Sequence, residues 1–254
     1  MRRIVAWLFL PLVLSVPSVA LAAPAAVGAV APPAPRIATP ATPVRTALAK
    51  ELVGYTQPTD LMLKAVLVGY EKGAAEEGLD ASAELDELAP GLGARLTERG
   101  KAELVALVAE RIPQMHERLA TMFAANCTEE ELKALIAFYS SPAGSKMIRS
   151  ITLSDSGGDA FDDAKLTADE AATANRAAAR DAAKSLSGDE WLAMMSFVAS
   201  PGGRAIKALG PQVQAISADW MTELMADFSK RIEPIAEQMV AEAVEEADKK
   251  AGTN

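Results

Sequence analysis

Apolar side chains in residues 127–148 recur at steps of three and four, which is the spacing of one face of an α-helix. They are Leu132, Leu135, Ile136 and Tyr139, with Phe138 widening the stripe on one side. Thr128 and Glu131 precede the stripe at the spacing of a capping box, in which each side chain hydrogen-bonds to the other residue's backbone amide. The pattern predicts an amphipathic helix that begins just after Thr128.

A proline-glycine corner follows this helix. Ser141 is biased away from helical dihedrals because a proline comes next. Pro142 has no amide hydrogen to donate but fits the first turn of a new helix, and Gly144 allows a tight change of direction. The segment therefore predicts a helix, a sharp corner and a second helix.

The same pattern returns 59 positions later, without a gap, in residues 186–207. Six positions are identical between the two copies, including the serine, proline and glycine of the corner. The second capping box, apolar stripe and corner consist of Ser187, Glu190, Trp191, Met194, Met195, Val198, Ser200, Pro201 and Gly203. We predict an all-α protein, a helical bundle built from two related αα-hairpin repeats.

Other apolar seams predict the helices around the two corners. We expect helices around residues 59–77, 97–125 and 167–185, with a loop around 78–94. Pro113 should bend the second of these helices. After the second corner the seam continues through a Gly210-Pro211 joint, and Pro234 should kink or restart the last helix. The charged tail from about Glu242 is expected to fray.

The first residues have the pattern of a secretory signal. Arg2 and Arg3 precede an apolar run, and Ala20-Leu21-Ala22 offers small residues for cleavage. An uncleaved anchor is an alternative, although the run is shorter than the ~20 residues that span a bilayer. We expect a cleaved signal peptide and a periplasmic or secreted protein of a Gram-negative bacterium, with no integral membrane segment after cleavage.

Composition divides the rest of the chain. Residues 23–50 begin with a run of Ala, Pro, Val and Thr that should form a disordered linker. The predicted units that follow are a first helical repeat at 51–152, a second at 153–241 and a charged tail at 242–254.

Charge and cysteine count exclude some classes of function. Removal of residues 1–22 leaves 23 basic and 34 acidic residues, a net charge of −11, which disfavours nucleic acid as a partner. With Cys127 as the single cysteine, no intramolecular disulfide is possible.

Three features invite a reading as chemical sites. His116 is the only histidine and lacks neighbouring metal ligands, so a surface or partly packed role is favoured. Cys127 precedes a helix start, where a redox role is conceivable, but an ordinary small apolar residue is favoured. The acidic loop at residues 155–163 lacks the spacing of a calcium-binding EF-hand. We predict no metal, cofactor or catalytic residue.

One helix face is broader than a packing seam requires. It consists of Trp220, Met221, Leu224, Met225 and Phe228, and it is the candidate apolar binding face. The favoured hypothesis is a non-enzymatic envelope module that binds a protein, a peptide or another apolar ligand. The alternatives are a structural, self-associating module and an envelope enzyme that uses scattered carboxylates such as Glu130, Glu131 and Asp189.

Residues 128–147 read Thr-Glu-Glu-Glu-Leu-x-x-Leu-Ile-x-Phe-Tyr-x-Ser-Pro-x-Gly-x-Lys-Met. This run closely resembles the core motif of a bacterial family known as domain of unknown function 2059. The resemblance implies an exported, all-helical protein in which the motif follows one or two amphipathic helices, and it implies no particular activity, cofactor or active site. The second copy departs from the motif, with Gly188, Trp191 and Val198 at positions where the first has Glu129, Leu132 and Tyr139.

Overall fold

The structure, a computed structural model, describes residues 40–153, 180 and 182–251 of the 254-residue chain. Seven helices with defined bounds lie in these ranges, and the ranges contain no strand, so the predicted all-α class is confirmed. They are α1 (Pro43–Thr56), α2 (Thr59–Leu88), α3 (Leu92–Asn126), α4 (Glu129–Tyr139), α5 (Pro142–Thr152), α6 (Gly188–Ala199) and α7 (Pro201–Ala251).

Helix α1 corrects the predicted linker. The disordered linker was expected over residues 23–50, but the chain is helical from Pro43. The Thr42 side chain accepts from the Arg45 amide at 3.2 Å and caps the helix, with a proline in the first turn. Because α1 buries Ala49, Leu52 and Val53, it gains the packing that an isolated Ala/Pro-rich segment lacks. The predicted signal peptide, and the linker up to residue 39, lie outside the described residues.

Helix α2 is longer than predicted. The helix does not end near residue 77 but continues to Leu88, and the predicted loop at 78–94 shrinks to three residues. Leu85 packs with Leu92 and Leu96 in a small second core at this end of the molecule. That burial stabilises helix beyond Gly78, because tertiary packing outweighs the weak helix propensity of glycine.

Helix α7 is also continuous where a restart was predicted. Pro211 and Pro234 both lie inside it, and it extends to Ala251, so the apolar seam continues through Pro211 as expected, while the predicted restart at Pro234 is wrong. A proline removes one backbone donor, but the helix continues when packing holds both sides of the proline in place. Ala236 and Ala243 supply that packing on the C-terminal side, where they are buried against the ends of α2 and α3.

The main core is shared by both predicted repeats. Helix α3 packs against α1, α2 and α7, and α4 packs against α1 and α7. The Arg118 guanidinium donates to both carboxylate oxygens of Glu223, at 3.0 and 2.7 Å, across the α3–α7 contact. The Trp220 indole N–H donates to the Arg111 carbonyl oxygen at 3.2 Å. Residues 51–152 and 153–241 therefore contribute to one body.

The two corners have the same local geometry. Capping boxes form at Thr128 with Glu131 and at Ser187 with Glu190. At the bends, the Ser141 hydroxyl oxygen accepts from the Gly144 amide at 3.2 Å, and the Ser200 hydroxyl oxygen accepts from the Gly203 amide at 3.1 Å. The serines are thus the N-caps of the helices that follow.

The corners also pack against each other. Helix α4 contacts α7, and α5 contacts α6. The two helices of the first corner therefore each pack against a helix of the second corner. Phe138 and Phe197, which occupy the same place in the two segments, stack with their ring centres 3.9 Å apart and their planes 4° apart. A Cβ on Gly202 would lie 3.0 Å from the Leu135 backbone nitrogen, so α7 begins in close contact with α4.

The corner glycine permits a test of this geometry. A Cβ at position 144 would lie 2.2 Å from the Phe138 carbonyl oxygen, which is backbone and cannot rotate away. Gly144→Ala should therefore lower the free energy of unfolding by about 3 kcal/mol, since the bend must open and repack. Urea unfolding followed by circular dichroism measures the change.

Gly54→Ala is the matched control. Gly54 lies within α1, and a Cβ there meets nothing within 4 Å. The same substitution should raise the free energy of unfolding by about 0.5–1 kcal/mol, because alanine favours the helix. Equal effects at the two positions would contradict the tight corner.

Candidate interaction surface

The predicted binding face is buried and is therefore corrected. Phe228 packs edge-on against Tyr70, with ring centres 6.4 Å apart, and Trp220 reaches the backbone of α3. The broad face of α7 serves several neighbouring helices at once, which explains why it is wider than a single seam. Its buried members are Trp220, Met221, Leu224 and Phe228, with Met225 partly buried against the same core.

Three of the seven exposed large apolar side chains among the described residues lie together on α6. Trp191, Leu192 and Met195 expose 44%, 66% and 48% of their surfaces. Positions i, i+1 and i+4 share one side of a helix, so the three form a continuous patch, here named the α6 face. The sequence pattern placed Trp191 and Met195 in a buried stripe, and this prediction is wrong because only Met194 and Phe197 of α6 reach the core.

Helix α4 provides the internal comparison. Leu132, the counterpart of Trp191, is fully buried, and Ile136, the counterpart of Met195, is partly buried against the core. Helix α1 packs on α4, and the Arg45 guanidinium donates to the Cys127 carbonyl oxygen at 3.4 Å, just before α4 begins. Among the described residues, the main neighbours of α6 are α4, α5 and α7, and no helix takes the place of α1.

The surface chemistry of the two helices differs as well. Position 133 on α4 is a lysine that pairs with Glu129 one turn earlier, at 3.9 Å. The equivalent position on α6 is Leu192, and position 188 is glycine. An outward-facing charge on one copy is thus an outward-facing leucine on the other. Single exposed apolar residues are ordinary, but a contiguous group of three is a candidate contact surface.

Polar contacts fix α6 in place. The Lys146 ammonium of α5 lies 3.1 Å from a Glu190 carboxylate oxygen and donates to the Ser185 carbonyl oxygen at 2.6 Å. The hydrogen bond from the Ser187 backbone amide, and then that from Lys146, lower the pKa of the Glu190 carboxyl. Asp189 in the same turn is exposed, so the N-terminal end of the α6 face is acidic.

His116 is half-buried on α3, which agrees with the predicted surface or partly packed role. Burial lowers the pKa of its imidazole, and a hydrogen bond with the Gln57 backbone opposes that shift. The described residues contain no cluster of three histidine, cysteine or carboxylate side chains arranged to hold a metal ion. The acidic loop at residues 155–163 lies outside the described residues.

Cys127 is in the core, with 1% of its surface exposed. It occupies the position just before the capping box of α4, where an apolar residue packs against the helix that follows. The thiol is shielded from oxidants in the folded protein, which agrees with a small apolar role.

The three carboxylates of the enzyme alternative lie at two different helix starts. Glu131 is engaged by the Thr128 amide at 2.9 Å in the first capping box. Glu130 and Asp189 are exposed in the first turns of α4 and α6. Exposed carboxylates at helix N-termini suit the helix dipole and have no need of a catalytic role.

The described helices and corners define an all-α protein that exposes a group of three apolar side chains on α6. The model of a family described as "Uncharacterized protein conserved in bacteria (DUF2059)" matches residues 113–151, which confirms the resemblance seen in residues 128–147. No curated protein and no solved structure matches the chain. In the described ranges, no helix combines the length and hydropathy that a membrane crossing needs.

The half-buried position of His116 predicts a pH dependence of stability. Its pKa is lower in the folded state than the ordinary value of 6.5, so the unfolded state binds more protons as the pH falls below that value. The free energy of unfolding should therefore decrease as the pH is lowered from about 6.5 to the folded-state pKa of His116. His116→Gln should remove this decrease, as measured by urea unfolding at several pH values.

Glu223→Gln is the control for this pH window. The Arg118 guanidinium lowers the pKa of Glu223, so its contribution is lost only below the ordinary carboxyl value of 4.5. The Glu223→Gln variant should keep the decrease near pH 6 and change the response in stronger acid. A decrease near pH 6 that survives in His116→Gln would contradict the assignment.

Proposed function

We propose that this protein is an exported, non-enzymatic binding module that docks a partner protein on the α6 face. The observation that carries the proposal is the exposure of Trp191, Leu192 and Met195 on a helix that is otherwise firmly anchored. Tryptophan and methionine are enriched at protein interfaces, where large apolar surfaces are desolvated on contact.

The rigidity of α6 supports a preformed docking surface. Met194 and Phe197 fix one side of the helix in the core, and the Ser187–Glu190 capping box fixes its start. A surface that is already ordered loses little conformational entropy when a partner binds. The exposed side chains therefore contribute their burial to affinity with little opposing cost.

The start of the sequence supports location outside the cytoplasm. Arg2 and Arg3, the apolar run after them and Ala20-Leu21-Ala22 together match a cleavable export signal. The chain that remains carries 23 basic and 34 acidic residues, so a basic or neutral protein partner is favoured over an anionic membrane or nucleic acid.

Site-specific photo-crosslinking tests the proposal. A benzophenone amino acid at position 192 should give a discrete covalent adduct with a protein of the bacterial envelope, because the side chain is 66% exposed within the patch. The same probe at Val244, an exposed apolar position near the far end of α7, should not. Mass spectrometry identifies the adducts.

Competition makes the result specific. Excess wild-type or Val244→Glu protein should suppress the adduct, while Leu192→Glu should fail to suppress it. The proposal is wrong if position 192 yields no adduct, or if all three competitors act alike.

A further inference from the structure

The packing of α1 against α4 within the protein indicates which kind of helix could pack against α6. Helix α1 lies against both α3 and α4 and buries Ala49, Leu52 and Val53, each with at most 1% of its surface exposed. These residues fall at i, i+3 and i+4, so α1 presents one aliphatic stripe. Its first turn carries Arg45, whose guanidinium donates to the Cys127 carbonyl oxygen where α4 begins.

Helix α6 begins and ends with the same local motifs as α4, one of the helices against which α1 packs. Both α4 and α6 start with a capping box and end at a serine-capped corner. Leu186 precedes the capping box of α6 as Cys127 precedes that of α4. The positions of the buried Leu132 and the partly buried Ile136 of α4 are taken on α6 by Trp191 and Met195, which are apolar and exposed.

We propose that the α6 face binds an amphipathic helix of a partner protein, with an aliphatic stripe like that of α1 and a basic residue in its first turn. This inference rests on the proposed function and specifies the partner. The stripe would pack on Trp191, Leu192 and Met195. The basic residue would lie beside Asp189, the exposed acidic residue at the start of α6.

Size and charge favour a helix over a second copy of this chain. Stable interfaces bury about 1,600 Å² in total, more than three side chains on one short helix provide by themselves. A single helix laid along the patch needs less area and forms a weak, reversible complex. The mature net charge of −11 also opposes self-association and attracts a basic segment.

A defined peptide tests the proposal. A fluorescein-labelled peptide with the sequence of residues 42–57 serves as the model helix, and fluorescence anisotropy measures its binding to the purified protein. Binding should saturate, weaken at least tenfold with Leu192→Glu and stay unchanged with Val244→Glu. Val244 is 43 residues beyond the start of α7, about 65 Å along a helix at 1.5 Å per residue.

Peptide variants test the two recognised features. Leu52→Asp in the peptide should abolish binding, because it places a charge in the stripe. Arg45→Ala in the peptide should weaken binding several-fold and reduce its dependence on salt. Binding that is the same for wild-type and Leu192→Glu protein would overturn the proposal, because the peptide would then occupy another surface such as that of α4.

Other occupants give distinguishable outcomes. A dimer in sedimentation velocity that Leu192→Glu dissociates would show that a second copy covers the face, and the partner assigned here would be wrong. An adduct from position 192 only to residues 154–179 of the same chain would also refute it. An adduct to an envelope protein without binding of the peptide would refute the helical partner and leave the proposed function standing.

Discussion

Phe138 and Phe197 meet face to face, 3.9 Å apart, at the point where the two corners of the chain come together. Each phenylalanine lies just before its Ser-Pro-x-Gly bend. Its carbonyl oxygen lies 2.2 Å from the place that a Cβ on the corner glycine would occupy. Only a glycine at that corner position lets the next helix fold so closely over the phenylalanine. The tight bend and the aromatic stack therefore depend on the same few atoms, and they fix how α4, α5, α6 and α7 pack.

The stack also determines what remains uncovered. With Phe197 and Met194 turned towards the core, the opposite side of α6 must point outward. Helix α4, in contrast, packs against α1, and its Leu132 is fully buried. The chain supplies one such covering helix among its described residues and two corners of the same geometry. The difference in covering, together with leucine at position 192 instead of lysine, makes the α6 face a candidate docking surface.

Local signals in the sequence predicted local structure well. Both capping boxes and both serine-capped corners form as the residue pattern indicates, since these depend on contacts within a few residues. Helix lengths were less predictable. Gly78 and Pro234 discourage helix locally, yet the helix continues through both positions, because packing between α2, α3 and α7 supplies contacts that no short window of sequence contains.

Whether each apolar stripe is buried or exposed was the property that the sequence predicted least well. Leu132 and Trp191 occupy equivalent positions in equivalent patterns, but one is buried and the other is exposed, according to which distant helix lies against them. The broad face around Trp220 was predicted to be an exposed binding face, but it is buried, since its width reflects contact with several helices. A signal was present in the comparison of copies, where Leu192 replaces a charged residue at an outward position.

The solvent exposure of Trp191 is the most direct measure of this account. The chain after residue 22 contains only Trp191 and Trp220, so Trp220→Phe and Trp191→Phe each leave a single tryptophan, which can be excited selectively over the tyrosines. Trp191 should emit at long wavelength and be quenched efficiently by acrylamide, while Trp220, which is 2% exposed, should emit at shorter wavelength and resist quenching. Equal protection of the two tryptophans in the folded protein would show that the α6 face is covered, and the account would fail.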